Sequence, residues 1–103
     1  MRKDTDRGPA LVSLERLIEI AQSDSGQAEI VANFLQAWWN ADACGGFNVA
    51  NVWALDRALV EDIRRIVGLI ATLGFYPDQL GYGSDFERIV AFWRPRLLEN
   101  AAR

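Results

Sequence analysis

The chain of 103 residues contains no histidine and only one cysteine, one methionine and one lysine. Without histidine it lacks the side chain that most often acts as a general base near neutral pH, and also the commonest nitrogen ligand of metals. Cys44 has no histidine to activate it, so we predict a buried or half-buried structural thiol. A single cysteine forms no internal disulfide, which is typical of proteins in the reducing cytoplasm.

Long apolar runs are missing as well. Charged residues interrupt every apolar stretch, and none approaches the about 20 residues that a membrane-spanning helix needs. Basic residues near the start of the chain are not followed by an apolar segment, so we expect no secretory signal. We therefore expect a cytoplasmic protein with no membrane partner, no cofactor and no bound metal.

Four segments of the chain have apolar residues at the three- and four-residue spacing of an amphipathic helix, and none alternates as a half-buried strand does. Residues that favour helix starts and ends lie at the borders of these segments. Ser84 and Glu87, for example, have the spacing of a capping box. Gly68 interrupts the third segment, where we expect it to permit close approach of another helix. The predicted helices cover residues 10–22, a second segment that either Asp24 or Ser25 caps and Gly45 ends, Asp56 to Gly74, and Ser84 to Trp93.

These segments predict an all-α protein, a compact bundle of four to five helices with a short extra helical turn over Val49–Ala54. Half of the residues are apolar and 24% are charged, which is the composition of one folded domain with a single core. We expect residues 1–8 to form a flexible, solvated tail and residues 9–103 to form one helical domain.

Eleven aromatic residues serve one small core, and some are adjacent within predicted helices. Neighbouring helical positions lie about 100° apart, so Trp38 and Trp39 cannot both point to the middle of one narrow apolar stripe. Either the apolar face is very wide, or one indole contacts a second helix or another molecule. A core assembled around large rings would account for the whole set. Alternatively, part of it is exposed as an interface anchor, the best candidates being Trp39, Trp53, Tyr76, Tyr82 and Phe92.

The formal net charge of -3 conceals an uneven distribution. Residues 15–62 contain eight acidic and two basic residues, whereas residues 64–103 contain six basic and four acidic ones. An acidic half repels phosphate and attracts basic surfaces. We therefore expect no direct contact with nucleic acid, and a protein partner that has a basic surface.

The remaining chemical motifs have structural explanations. The carboxylate pairs Glu61/Asp62 and Asp85/Glu87 are expected on a solvated helix face and in the first turn of a helix, where acidic residues are ordinary. The helical segment after Gly45-Gly46 has too few basic residues for a typical DNA-recognition helix, although a DNA-binding regulator stays an alternative. We predict that the protein is not an enzyme.

Three aromatic and glycine motifs resemble a known family. They are Phe34-Leu35-x-Ala37-Trp38-Trp39-Asn40-Ala41-x-x-Cys44-Gly45-Gly46-Phe47, Tyr76-Pro77-Asp78-x-Leu80-Gly81-Tyr82 and Trp93-Arg94-Pro95. Through them the chain is similar to small uncharacterised proteins, a domain of unknown function, carried on plasmids, integrative elements and prophages of Gram-negative bacteria. The resemblance brings no catalytic residues. It implies an accessory protein of a mobile element and, by analogy with anti-CRISPR proteins, an inhibitor or modulator of a host system.

The leading hypothesis is a non-enzymatic protein that acts by binding a partner's surface, with acidic residues steering the approach and aromatic residues anchoring the contact. One alternative is a homo-oligomeric structural or regulatory protein whose spare aromatics are buried against a second copy; the other is the DNA-binding regulator. The predicted contact involves Glu29, Asp42, Glu61 and Asp62 for steering, and Trp39, Trp53 and Tyr82 for anchoring.

Overall fold

Between residues 2 and 97, the fold consists of four α-helices longer than ten residues and two short 3-10 helices. The computed structural model describes the backbone of residues 2–97 and the side chains of residues 8–97. The α-helices are α1 (Arg2–Ala21), α2 (Gly26–Cys44), α3 (Arg57–Leu73) and α4 (Gly83–Trp93). The 3-10 helices are Val49–Ala54 and Pro77–Leu80. No strand occurs between residues 2 and 97, so the predicted all-α bundle, with its short extra turn, is confirmed.

Helix α1 is the central element of the packing, because it contacts α2, α3 and α4. Burying one aliphatic or aromatic side chain stabilises a fold by about 1.5–3 kcal/mol, so the residues that meet here supply most of the driving force. None of the helices in residues 2–97 is long and apolar enough to cross a membrane. The fully buried apolar side chains of this single core include Leu14, Leu17, Val31, Leu35, Ile66, Phe86 and Ile89.

Helix α1 begins earlier than its apolar pattern predicts. The apolar pattern predicts a start near residue 10, whereas α1 runs from Arg2 and has Pro9 inside it. Residues 2–7 contain no apolar side chain, so hydrophobic periodicity carries no information about their backbone. The predicted start is therefore wrong. The flexibility of the first eight residues stays a prediction, and residues 1 and 98–103 of the predicted tail and domain lie outside the described residues.

The ends of the other helices follow the predicted caps only in part. Ser25 is the N-cap of α2, and its hydroxyl accepts a hydrogen bond from the Ala28 N–H at 3.0 Å. Gly74 ends α3 in the left-handed region, with a φ of +70° that glycine adopts without steric cost. The capping box at Ser84 is wrong, because α4 begins one residue earlier and Tyr82 is its N-cap.

Residues at the end of α4 donate hydrogen bonds to the C-terminal ends of α1 and α2. The Trp93 indole Nε1 donates a hydrogen bond to the carbonyl of Ala21, the last residue of α1, at 2.6 Å. Arg94 donates through Nε to the carbonyl of Cys44, the last residue of α2, at 3.3 Å. Its Nη2 donates to Asn33 Oδ1 at 2.9 Å. Helix C-termini carry unpaired carbonyls and a partial negative charge, which these donors satisfy.

Cys44 is buried, as predicted for a structural thiol. Burial raises the pKa of its thiol, and the nearby charge of Arg94 offsets only part of that increase. A thiol with a raised pKa is less ionised near neutral pH and correspondingly less reactive.

Gly68 lies on the exposed side of α3. A Cβ atom built on it would meet no described atom within 4 Å, so no helix of the described residues approaches it closely. The prediction that this glycine permits close helix packing is wrong. Helix α3 packs through its opposite side, where Ile63 and Ile66 are buried.

Candidate functional site

Helix α2 is kinked at Asn40, close to its C-terminal end. The backbone of Asn40 is non-helical, with φ -163° and ψ 85°, and the last helical turn resumes after it. The Asn40 side chain stabilises the break, because its Oδ1 accepts a hydrogen bond from the Ala43 N–H at 3.2 Å, much as an N-cap residue does. The kink separates the last turn of α2 from the body of the helix.

The two tryptophans before the kink pack against the same phenylalanine. The ring centroids of Trp38 and Trp39 lie 6.1 Å and 6.5 Å from that of Phe86 in α4. The Trp38 indole Nε1 also donates to the carbonyl of Phe75 at 3.1 Å. Phe86 is fully buried, whereas both indoles are half-buried. A second helix therefore accounts for both adjacent tryptophans, and each keeps part of its surface in solvent.

An open groove lies between the kinked end of α2 and the loop that leads into the second 3-10 helix. Its volume is about 530 Å³. Two carboxylates and three aromatic rings line this groove together with small and polar residues, and none of the described lining residues is basic. Tyr76 is 57% exposed, and both carboxylates are exposed. We call it the aromatic groove; it is formed by Ala37, Trp38, Trp39, Asn40, Ala41, Asp42, Tyr76 and Asp78.

The two carboxylates of the aromatic groove are free to accept hydrogen bonds from another molecule. Within the described residues, neither Asp42 nor Asp78 forms a salt bridge. Aromatic faces attract cations, and carboxylates accept strong hydrogen bonds from charged donors, so the groove suits a positively charged group. No cluster of three or more Cys, Asp or Glu side chains in the described part of the chain is arranged to hold a metal ion.

Tyr82 lies at a second open groove, between α1 and the start of α4. Its hydroxyl donates a hydrogen bond to Glu15 Oε2 at 2.8 Å. Burial, this hydrogen bond and the negative charges of Glu15 and Asp85 raise the pKa of Tyr82 to about 12. The ring is half-buried, and the hydrogen bond of its hydroxyl joins the start of α4 to α1 outside the aromatic groove.

Asp62 is buried, which corrects the prediction that it lies on a solvated helix face and steers a partner. Arg16 donates to its carboxylate from Nε at 2.7 Å and from Nη2 at 2.8 Å, and the Ser13 hydroxyl donates at 2.7 Å. Burial alone would raise the pKa of Asp62. The hydrogen bonds from Arg16 and Ser13, with the charges of Arg16 and Arg65, outweigh burial and lower that pKa below its ordinary value. Position 62 borders the apolar stripe of α3, where the sequence does not distinguish a buried ion pair from a solvated acid.

The other predicted contact residues lie outside the aromatic groove. Glu29 is exposed in the first turn of α2, and Glu61 pairs with Arg64 at 3.2 Å on the surface of α3. Trp53, in the first 3-10 helix, is 90% exposed. Of the seven predicted contact residues, the structure brings Trp39 and Asp42 together in one groove.

The sequence matches the model of a family of unknown function (DUF7673) over residues 11–94. The chain belongs to this family. The matched region contains α2, α3, α4 and most of α1, and therefore the whole lining of the aromatic groove. No match was found among curated proteins or among solved structures. The predicted membership of an uncharacterised family is confirmed, and DUF7673 carries no activity over to the chain.

Sequence reasoning missed two features of the groove in this DUF7673 chain. The kink at Asn40 is marked by neither proline nor glycine, the usual signs of a helix break. Asp78 belongs to one of the aromatic and glycine motifs, but nothing else in the sequence marks it as a contact residue. A signal did exist, because the two longer aromatic and glycine motifs supply every residue that lines the groove except Asp42.

Proposed function

We propose that this protein is a non-enzymatic binding protein that docks on a basic surface of a partner protein through the aromatic groove. The composition of the groove carries the proposal, because the exposed Tyr76 ring, two half-buried indoles and two exposed carboxylates line one open depression, with no basic residue among the described lining residues. Rigid rings bury a large area at little entropic cost, and carboxylates select a positively charged partner. Other exposed acids, such as Glu29, would steer the approach.

Affinity capture from the cells that encode the chain tests this docking function. The groove variant Asp42→Asn/Asp78→Asn removes both lining carboxylates, and the control variant Asp24→Asn/Glu87→Gln removes the same charge from exposed positions outside the groove. We expect the wild type and the control to retain a partner protein that the groove variant loses, while circular dichroism of all three is the same. Equal capture by the groove variant and the control would reject the groove as the docking surface.

The salt dependence of the captured complex tests the contribution of charge. Exposed charges are screened over about 10 Å at 0.1 M salt, so an interaction steered by acidic residues weakens as salt rises. We expect the dissociation constant to increase steeply between low and high salt. A constant that is the same at both would show that charge does not drive the association.

We further propose that the protein is an accessory protein of a mobile genetic element and inhibits a host defence or nucleic-acid-binding complex, as anti-CRISPR proteins do. The motif resemblance supports the genetic context. The acidic surface supports the target, since a negatively charged protein competes with nucleic acid for a basic groove. Expression of the chain in bacteria with an active CRISPR system should restore plating of a targeted phage. Unchanged restriction of the phage would reject the anti-CRISPR role.

A homo-oligomeric role is the second candidate, and the first 3-10 helix favours it. Trp53 is 90% exposed and Val49 is 73% exposed in this short segment. Large apolar side chains that a protomer leaves in water are often covered in an assembly. Light scattering distinguishes the two candidates, since a stable dimer at micromolar concentration that Trp53→Ala dissociates supports self-association. A wild-type chain that stays monomeric rejects it.

A further inference from the structure

The aromatic groove supports a more specific inference, which rests on the docking function proposed above. We propose that the groove binds an arginine side chain in an exposed segment of the partner protein. The planar guanidinium group stacks on the rings of Trp39 and Tyr76, and its N–H groups donate to the carboxylates of Asp42 and Asp78.

Charge complementarity points to a cation as the occupant. The lining contains two carboxylates and no basic residue, and within the described residues neither carboxylate is already neutralised by a salt bridge. A cation that enters the groove therefore gains two opposite charges without breaking an internal ion pair. Because both carboxylates are exposed, neither has to be uncovered before the cation binds.

The arrangement of rings and carboxylates in the groove favours arginine over lysine as the bound side chain. One ring and one carboxylate come from α2, namely Trp39 and Asp42. The other ring and carboxylate come from the second 3-10 helix, where Tyr76 is the N-cap and Asp78 lies within the helix. A guanidinium group is flat, weakly hydrated and carries five N–H donors, so it can stack on a ring and donate to acceptors on two sides at once. The ammonium group of lysine is compact and strongly hydrated, and it has no plane that can stack.

The tryptophans of the groove are held in place before anything binds. Both indoles pack on Phe86, and the Trp38 N–H is already bonded to the carbonyl of Phe75. Side chains that are fixed in the free protein lose little further entropy on binding. Of the two rings proposed to stack on the guanidinium group, that of Trp39 is therefore already packed in the free protein.

Two capped pentapeptides that differ only at the central position, Gly-Gly-Arg-Gly-Gly and Gly-Gly-Lys-Gly-Gly, test the inference. The indole N–H signals of the four tryptophans are followed by NMR during titration of the isotope-labelled full chain. We expect the arginine peptide to shift the signals of Trp38 and Trp39 and not that of Trp53, which lies outside the groove. We expect its dissociation constant to be lower than that of the lysine peptide by about fivefold.

Paired variants link the shifts to the two carboxylates. Asp42→Asn/Asp78→Asn should abolish the response to the arginine peptide, whereas Asp24→Asn/Glu87→Gln, with the same net charge, should retain it. Equal affinity for both peptides, no shift of Trp38 and Trp39, or an undiminished response in the groove variant would each overturn the inference. If the groove variant still loses its partner protein in the capture experiment, the docking function stands and only the arginine assignment fails. If that variant keeps the partner, the docking function itself fails.

Discussion

Arg16 holds the carboxylate of Asp62 with two hydrogen bonds, from Nε to Oδ2 at 2.7 Å and from Nη2 to Oδ1 at 2.8 Å. The two residues join α1 to α3 and are separated by 46 positions in the chain. The carboxylate side chain is 1% exposed, whereas 49% of the arginine side chain is exposed. An acid is therefore tolerated inside the bundle because a solvent-facing guanidinium group and the Ser13 hydroxyl satisfy its oxygens.

The substitution Asp62→Asn keeps the size of the side chain and removes the charge that pairs with Arg16. We expect the free energy of unfolding to fall by about 1–3 kcal/mol, because hydrogen bonds to a charged group are lost and a buried amide needs new partners. Urea unfolding measures the loss. Glu61→Gln is the matched control, since its ion pair is exposed and should contribute about 0.5 kcal/mol or less. Equal losses in the two variants would contradict a buried network.

Acid should destabilise the wild type through the same carboxylate. The pKa of Asp62 is lowered by folding, whereas in the unfolded chain this group titrates near its ordinary value of 3.8. Its contribution is fully present above the unfolded value and is lost as pH falls through the lower native pKa. We expect the free energy of unfolding of the wild type to fall more than that of Asp62→Asn as pH drops from about 5. Parallel pH profiles for the two proteins would contradict this assignment.

Alkali should destabilise the protein through Tyr82. Its hydroxyl has an ordinary pKa of 10.0 in the unfolded chain and of about 12 in the fold. Because folding raises the value, the contribution to stability is complete below the unfolded pKa and disappears as pH rises through the native one. We expect the wild type to lose more stability than Tyr82→Phe between about pH 9 and pH 12. An equal loss of stability in the wild type and in Tyr82→Phe would contradict this prediction.

Alanine substitutions at Gly68, inside α3, and at Gly74, at its end, should change the free energy of unfolding in opposite directions. Gly68→Ala should raise the free energy of unfolding by about 0.5–1 kcal/mol, because its Cβ meets no described atom and alanine is the better helix former. Gly74→Ala should lower it by about 1–2 kcal/mol, since a φ of +70° is strained for alanine. Thermal unfolding of the two variants measures the expected gain of stability in Gly68→Ala and the expected loss in Gly74→Ala. A loss of stability in Gly68→Ala would mean that another molecule packs on that side of α3.

Trp53 should dominate the quenching of tryptophan fluorescence by acrylamide. It is 90% exposed, whereas Trp93 is half-buried and its N–H is bonded to the carbonyl of Ala21. We expect Trp53→Phe to reduce the quenching constant markedly and Trp93→Phe to leave it nearly unchanged. Similar quenching constants for the wild type and Trp53→Phe would contradict a free Trp53 and favour a covered one, as in a homo-oligomer.

Local signals predicted some helix ends, such as the start of α2 and the end of α3, but not the start of α4, where the capping-box spacing at Ser84 was misleading. Ser25 caps α2 through a hydrogen bond to a residue three positions away, and Gly74 stops α3 through its own backbone angle. Both signals depend only on neighbouring residues, so the sequence displays them directly. Where no such signal exists the prediction is wrong, as at the start of α1, which has no apolar residue before Pro9.

The candidate site was predictable only in fragments. The adjacency of Trp38 and Trp39 indicated an unusual packing problem, and the surplus of acids indicated a basic partner. Whether an acidic side chain remains on the surface depends on its contacts with distant parts of the fold. These contacts bury Asp62, whereas Asp42 remains exposed. The groove itself needs Asp78, which periodicity does not connect to α2.

The sequence by itself determined the helical class, the approximate extent of three helices and the excess of acidic and aromatic side chains, because these follow from composition and from contacts within a few positions. Only the tertiary structure decided that Trp38 and Trp39 both pack on Phe86 and that Asp62 is buried and paired with Arg16. The tertiary structure alone also decided that Trp39, Asp42, Tyr76 and Asp78 line one groove. The physical reason is that such contacts join residues tens of positions apart, and their geometry is set when several helices bury their apolar stripes in a common core.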